Sequence, residues 1–245
     1  MEREEIQRML KVLQLLETER NLESLLARSG KENLSHEEFL AELLIREVDS
    51  KSNKKVARLL KDSGLSLSKS IQSFDTKRLN QRLLGQIQNL RRGEFLKRRE
   101  NVLAFGNPGS GKTHLLSGIA QELCRGEHRV LFKTCEAWVE ALLQQKAALN
   151  LSAWLKQLDR YELLFIDDIG YVQKNREEME VLFSLLAHRY ERGSVMITSN
   201  LMFSQWEQIF KDPMTTVAVV DRVVHHSVIL EMNIPSYRAE EAGQP

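Results

Sequence analysis

Gly106-Asn107-Pro108-Gly109-Ser110-Gly111-Lys112-Thr113 sets glycines, a lysine and a hydroxyl at the spacing of a phosphate-binding loop. The chemistry it permits is capture of a triphosphate. Glycines let the backbone pass close to an anion, and the N–H groups of 109–113 can converge on it. Lys112 is expected to reach the β- and γ-phosphates of ATP, and the Thr113 hydroxyl to ligate Mg²⁺. His114 completes the stretch assigned to the nucleotide. The surroundings favour this over a chance glycine turn. Residues 101–105 form a short apolar strand, and Leu115, Leu116, Ile119, Ala120 and Leu123 recur at helical spacing beyond the loop.

Three further constellations can act on a triphosphate. Leu163-Leu164-Phe165-Ile166 ends in Asp167-Asp168, which puts two carboxylates at the C-terminal edge of a buried strand, where α/β folds bind ligands. Asp167 is expected to hold Mg²⁺, and Asp168 to orient and polarise the attacking water. Met196-Ile197-Thr198-Ser199-Asn200 is another strand with a polar tip. Asn200 could place the same water or touch the γ-phosphate, or it could simply cap the next turn. Arg222 lies in the apolar run Val217–Val224. It could project into a neighbouring subunit's nucleotide and neutralise charge developing on the γ-phosphate. The plainer reading is a local ion pair with Asp221. Arg238 is a further candidate for nucleotide sensing.

These residues need elements to position them. Strand signals at 101–105, 129–133, 162–167, 194–198 and 227–231 are separated by helical patterns, which indicates a parallel doubly wound sheet. The strands are continuously apolar, as expected when both faces are covered. Ahead of them the chain is helical. Ile6, Met9, Leu10, Leu13 and Leu16 form one stripe, and Leu22, Leu25 and Leu26 another. Ser35-His36-Glu37-Glu38 is a capping box opening a third helix, whose expected apolar face is Phe39, Leu40, Leu43, Leu44 and Val48. Gly64 and the serine-rich stretch that follows mark a boundary. The expected organisation is a helical domain over 1–65, a linker over 66–78 and a nucleotide-binding α/β domain over 79–245.

Composition bounds the partners. The 245 residues, 42% of them hydrophobic, allow one sizeable core and a smaller unit. No apolar run approaches the ~18 residues of a membrane span, so no membrane partner is expected. Cys124 and Cys135 have no metal or redox spacing and read as buried thiols of a cytoplasmic protein. His225 and His226 are adjacent, which on a helix turns them about 100° apart, against a shared metal. The net charge of +1 conceals a strong asymmetry: residues 51–100 hold 14 basic and 4 acidic side chains, whereas 1–50 hold 7 and 12. Lys51, Lys54, Lys55, Arg58 and Lys61 are the candidate DNA contacts. Few aromatics accompany them, which favours duplex phosphates over stacked single-stranded bases. A solvated face partly neutralised by residues 1–50 is the alternative.

The order of the later motifs resembles a family. Glu32–Leu40, the Gly-Asn-Pro-Gly-Ser-Gly-Lys-Thr loop, Leu163–Gly170, Ile197–Asn200, Phe203-x-x-Trp206, Phe210-x-Asp212-Pro213, Asp221–His226 and Ser236-Tyr237-Arg238 together are similar to IstB-type transposition helper ATPases. These are AAA+ proteins related to DnaC-type helicase loaders. The resemblance implies the AAA+ sheet order and ATP-dependent self-assembly into a homo-oligomer on duplex DNA. It also implies delivery of that complex to a transposase. It makes Lys112 and Thr113 Walker A, Asp167 and Asp168 Walker B, Asn200 sensor 1 and Arg222 the arginine finger. Two departures stand out. Asp168 occupies a position where many AAA+ proteins have Glu, which implies slower hydrolysis. Only 23 residues follow Arg222, so no C-terminal helical lid is expected. The nearest alternative is a replicative helicase loader. A small-molecule kinase would need an acceptor pocket and usually an Arg-bearing lid, and a non-hydrolysing DNA scaffold is the reading that Asp168 motivates.

Overall fold

The computed structural model describes residues 3–170, 175–210 and 212–236. The chain divides into two compact units, Met1–Arg58 and Leu59–Pro245. The division falls ahead of the boundary expected at residue 65.

The first unit contains α1 (Arg3–Val12), α2 (Leu16–Glu32) and most of α3 (His36–Asp62). Helix α2 stops where Asn33 turns into the left-handed region, its N–H donating to the Ser29 carbonyl. The capping box that opens α3 is present: the Ser35 hydroxyl accepts from the Glu38 N–H at 3.2 Å, and the Glu38 carboxylate accepts from the Ser35 N–H at 2.8 Å. Leu22, Leu25 and Leu43 form a small core, with Ile6, Leu10 and Phe39 packed on it. The expected apolar face of α3 is only half used. Leu40, Leu44 and Val48 are 54%, 49% and 63% exposed. Their stripe spans a wider arc than α1 and α2 cover within this unit.

The inward position below Leu43 is taken by a carboxylate. Glu47 is buried and accepts from the backbone N–H groups of Glu17 and Thr18, both at 2.9 Å, and from the Thr18 hydroxyl at 3.3 Å. It therefore caps the open N-terminus of α2 from another helix. Burial pushes its pKa up, but the Thr18 and Glu17 donors and the nearby Lys51 together outweigh that and hold it below the ordinary 4.5. Glu47→Ala is expected to destabilise this unit by about 2 kcal/mol. Because the folded pKa is depressed, that contribution is present above pH 4.5 and is lost as pH falls through the folded value. Thermal melts of both proteins between pH 7 and pH 3 check this. A gap that does not narrow in acid would show that the carboxylate acts through packing alone.

The second unit alternates strands and helices. Its order is α4 (Gln81–Arg91), α5 (Glu94–Lys97), β1 (Asn101–Phe105), α6 (Lys112–Arg125), β2 (Val130–Thr134), α7 (Cys135–Ala147), α8 (Leu151–Leu158) and β3 (Leu163–Asp167). Then come α9 (Arg176–Arg189), β4 (Ser194–Ser199), α10 (Glu207–Phe210), α11 (Pro213–Val224) and β5 (Ser227–Glu231). All five strands run parallel in the order β2-β3-β4-β1-β5, the AAA+ order. They lie within a residue of the expected bounds. Both sheet faces are covered, and alternate residues enter different cores. Val102, Ala104, Leu163, Phe165 and Met196 pack with Leu83, Ile87, Leu115 and Ile119 of α4 and α6. Leu103, Phe105, Leu164, Ile166 and Ile197 pack with Trp138, Leu185 and Val219 of α7, α9 and α11. Local signals start the helices: Asn80 caps α4, Thr134 caps α7, an Asn175–Glu178 capping box opens α9, and Asp212 precedes Pro213 at the head of α11. No described helix follows β5, and none is long and apolar enough to cross a membrane. Cys124 and Cys135 are buried and unbridged.

Residues 66–78, expected as a linker, are packed onto α6. Leu65, Ile71 and Leu79 are buried in the core shared with the sheet. The Gln121 amide donates to the carbonyls of Ser66 and Lys69 at 2.9 and 3.0 Å. Gly118 lets this strap lie flat on the helix, since a Cβ there would come within 2.6 Å of the Ile71 nitrogen. The serines contribute backbone acceptors rather than flexibility.

Candidate nucleotide-binding site

The loop between β1 and α6 is shaped by three glycines, Gly106, Gly109 and Gly111, at positive φ values that would strain another residue. Gly106 has φ +154°, and a side chain there would run into the Met232 carbonyl. Gly111 has φ +89° and closes the turn onto α6, where a Cβ would sit 2.8 Å from the Phe74 ring. Helix α6 begins at Lys112, so its open N–H groups face the loop and create a positive anion-binding end. The loop borders a cavity of about 460 Å³, within the size range of small-molecule sites, lined by Pro108–His114, Asp168 and Asn200.

Lys112 is 7% exposed and donates to the Gly106 and Asn107 carbonyls at 2.8 and 2.9 Å. Burial pushes its pKa down, and the carboxylates of Asp168 and Asp167 partly restore it. The Thr113 hydroxyl donates to Asp167 Oδ1 at 2.8 Å. Thr198, at the end of β4, donates to the same oxygen at 2.6 Å and accepts from the Asp168 N–H at 2.8 Å. Thr198 thereby fixes both acids. Sequence reasoning missed it, although a hydroxyl inside an apolar strand is a signal for such a role. Asp168 has φ +65°, a left-handed turn that brings its side chain to the cavity wall.

The residues present fit a Mg²⁺-bound nucleotide. Thr113 and Asp167 supply hard oxygen donors side by side. No group of three or more His, Cys, Asp or Glu suited to a metal occurs among the described residues, so the ion would draw its remaining ligands from phosphate and water. Ser110 Oγ and Asn200 Oδ1, both on the cavity wall, are buried with no hydrogen-bond partner among the described residues. Such orphaned atoms cost free energy until a ligand or water meets them.

The strap supplies the rest of the wall: Lys69, Ser73, Phe74, Asp75 and Arg78, facing Ile234 from beyond β5. None of these was assigned to the nucleotide from sequence. His114 reaches the strap, its Nε2 lying 3.0 Å from the Ser70 carbonyl and from the Ser73 hydroxyl, with the Phe74 ring edge-on at 5.4 Å.

Arg222 is elsewhere. It sits on α11 beside Asn101, at the opposite end of β1 from the loop, about 17 Å away at the rise of a parallel strand. It forms no ion pair with Asp221. Its guanidinium donates to the Ala218 carbonyl at 2.8 Å and lies 5.5 Å from the Phe183 ring centre. Lys51, Lys54, Lys55, Arg58 and Lys61 are all exposed along one side of α3. Arg238 lies outside the described residues.

Comparison with known proteins agrees with this geometry. The sequence profile of the IstB-like ATP binding proteins matches residues 8–244. An insertion-sequence ATP-binding protein of Sinorhizobium fredii is 37% identical over 205 residues, covering 83% of this chain and 69% of its own. The ATP-binding protein of insertion sequence IS21 from Pseudomonas aeruginosa is 33% identical over 240 residues, covering 97% and 89%. The crystal structure of the DnaC helicase loader superposes with a TM-score of 0.55 at 17% identity, over 67% of this chain and 97% of that one, a likeness of fold. With its phosphate loop, paired acids and five-stranded parallel order, the chain belongs to the IstB-like ATP binding protein family and has the AAA+ P-loop ATPase fold.

Proposed function

We propose that this protein is an ATP-gated regulator of transposition that assembles on duplex DNA and recruits a transposase. The insertion-sequence relatives favour this over helicase loading, for which the DnaC likeness supplies fold alone. One observation carries the reading: the cleft is lined by the loop, Asp168 and Asn200, with Asp167 bonded to the loop through Thr113, while Arg222 stands at the far end of β1. A protomer cannot bring its own Arg222 to its own nucleotide, so a second copy must supply it. ATP bound between copies then joins them.

In this scheme the N–H groups of 109–113 and the α6 N-terminus hold the phosphates. Lys112 leaves its two loop carbonyls for the β- and γ-phosphates. Thr113 and Asp167 would hold Mg²⁺, which when bound would neutralise charge on the phosphate oxygens. Asp168 orients the attacking water and takes its proton, and Asn200 uses its unpartnered oxygen to fix that water. Arg222 of the next protomer meets charge growing on the γ-phosphate. The α3 cations contact DNA phosphates.

Sizing the full chain with duplex DNA, with and without ATP, tests this. Large complexes are expected only with both. Neutralising Lys54, Lys55 and Arg58 together is expected to flatten the salt dependence of DNA binding by about 0.9 in log–log slope for each DNA phosphate that no longer meets a cation. Equal assembly without nucleotide would refute the gate, and an unaltered slope would move the DNA surface off α3.

A further inference from the structure

A second cavity, of about 290 Å³, opens at the N-terminal edge of the sheet and is lined by four arginines: Arg98, Arg99, Arg189 and Arg222. Carboxylates balance them only in part: Glu191 also lines the cavity, and Asp159 approaches Arg189. Arg98 is neutralised by Glu100, which accepts from its Nε at 2.9 Å and its Nη2 at 2.8 Å. Arg99 donates to the Glu191 carbonyl and Arg222 to the Ala218 carbonyl, and neither has a carboxylate partner among the described residues. Arg189 is 2% exposed. Its Nη groups donate to the carbonyls of Leu158, Glu162 and Ser194 at 3.4, 3.1 and 3.2 Å, and the nearest carboxylate, Asp159, is 4.0 Å away. Its Nε is buried with no partner among the described residues. The fold makes room for this guanidinium, because a side chain at Gly193 would overlap it.

Burying a cation against neutral carbonyls is costly unless an anion completes the site. Guanidinium groups in a cleft match a tetrahedral oxyanion better than any other common group. We propose that this cavity is a phosphate site, with Arg99 and Arg222 as the contacting cations and Arg189 as a fixed charge behind them. The phosphate has two possible sources, the nucleotide of a neighbouring protomer or the DNA backbone. The first deepens the reading given above and rests on it; the second does not. In the first case Arg99 joins Arg222 at the shared nucleotide, and two cations rather than one complete it.

The probe is inorganic tripolyphosphate, added to full-length Lys112→Ala protein so that the loop between β1 and α6 is disabled. Tripolyphosphate at a hundredfold excess over Kd is expected to raise Tm by about 5 °C. Adding Arg99→Ala and Arg222→Ala should abolish the rise, and Arg99→Lys with Arg222→Lys should keep part of it. No rise in Lys112→Ala protein, or the same rise after both alanine changes, overturns the site. The source is then read with Arg99→Ala as the single change, in protein that keeps Lys112. Loss of ATP-dependent self-association with an intact DNA salt slope assigns the neighbour's nucleotide. A slope lower by about 0.9 with self-association retained assigns a DNA phosphate. Wild-type protein that does not associate with ATP yet still responds to tripolyphosphate through Arg99 and Arg222 refutes the ATP gate and leaves the phosphate site standing.

Discussion

Lys112→Ala protein remains dispersed on duplex DNA at ATP concentrations that assemble the wild type. The expected cause is local. Lys112 is the buried cation at the mouth of α6, and its ammonium is already held 2.8–2.9 Å from two loop carbonyls, poised over the phosphate position. Replacing it removes a pair of charge-assisted contacts to phosphate, worth about 3 kcal/mol together, which is a hundredfold or more in nucleotide affinity. The desolvated setting that pushes its pKa down also strengthens its pull on an incoming triphosphate. Light scattering or electron microscopy reads the outcome, and nucleotide titration locates the cause. The neighbouring Thr113–Asp167–Thr198 bonds do not involve Lys112, so the melting temperature should stay close to wild type. Undiminished assembly with lost nucleotide binding would separate assembly from ATP and end the proposal.

Arg222→Ala protein binds ATP and barely turns it over. An arginine supplied to a γ-phosphate in trans accelerates hydrolysis by about 10³ or more, so the loss should approach that factor. Nucleotide affinity of the isolated protomer should hold, because Arg222 is absent from the cleft that contains Lys112. Mixing is the decisive measurement. A protomer with an intact loop but no Arg222 can be completed by a Lys112→Ala neighbour that still carries the arginine. Equal mixtures should therefore recover part of the activity that neither protein has alone. Removing Arg222 also deletes its contacts with Phe183 and the Ala218 carbonyl, which are worth about 1 kcal/mol. A melting curve shows whether that matters, and Arg222→Lys keeps a charge at the same place. Absence of rescue in mixtures that do co-assemble counts against a shared site.

Much of the nucleotide site is legible in the sequence because its elements are dictated locally. A strand buried on both faces is apolar throughout, so β1, β3 and β4 announce themselves, and polar residues at their C-terminal ends must lie at one sheet edge. That logic brings Lys112, Asp168 and Asn200 to one cavity, with Asp167 bonded to Thr113 on its wall. The strap was not legible for a definite reason. Its contacts to α6 use the carbonyls of Ser66, Lys69 and Ser70, and a serine-rich run hides backbone acceptors that any residue would possess. The exposed half of α3 misled in the opposite sense. Helical periodicity shows that Leu40, Leu44 and Val48 share a side, but not whether two short helices suffice to cover it. The spacing of Arg99, Arg189 and Arg222 carries no periodic signal, and only the sheet's topology gathers them.

The rim of the main cavity brings together the two ends of the described α/β unit. Arg78 from the strap donates to the carbonyl of Pro235, beyond β5, at 3.2 Å, across a sequence separation of 157. That bond acts as a clasp on the nucleotide doorway. A charge-assisted contact of this kind is worth about 1.5–3 kcal/mol, far less than any part of the sheet. Losing it is therefore expected to loosen this edge of the doorway while the scaffold that holds the phosphates stays intact.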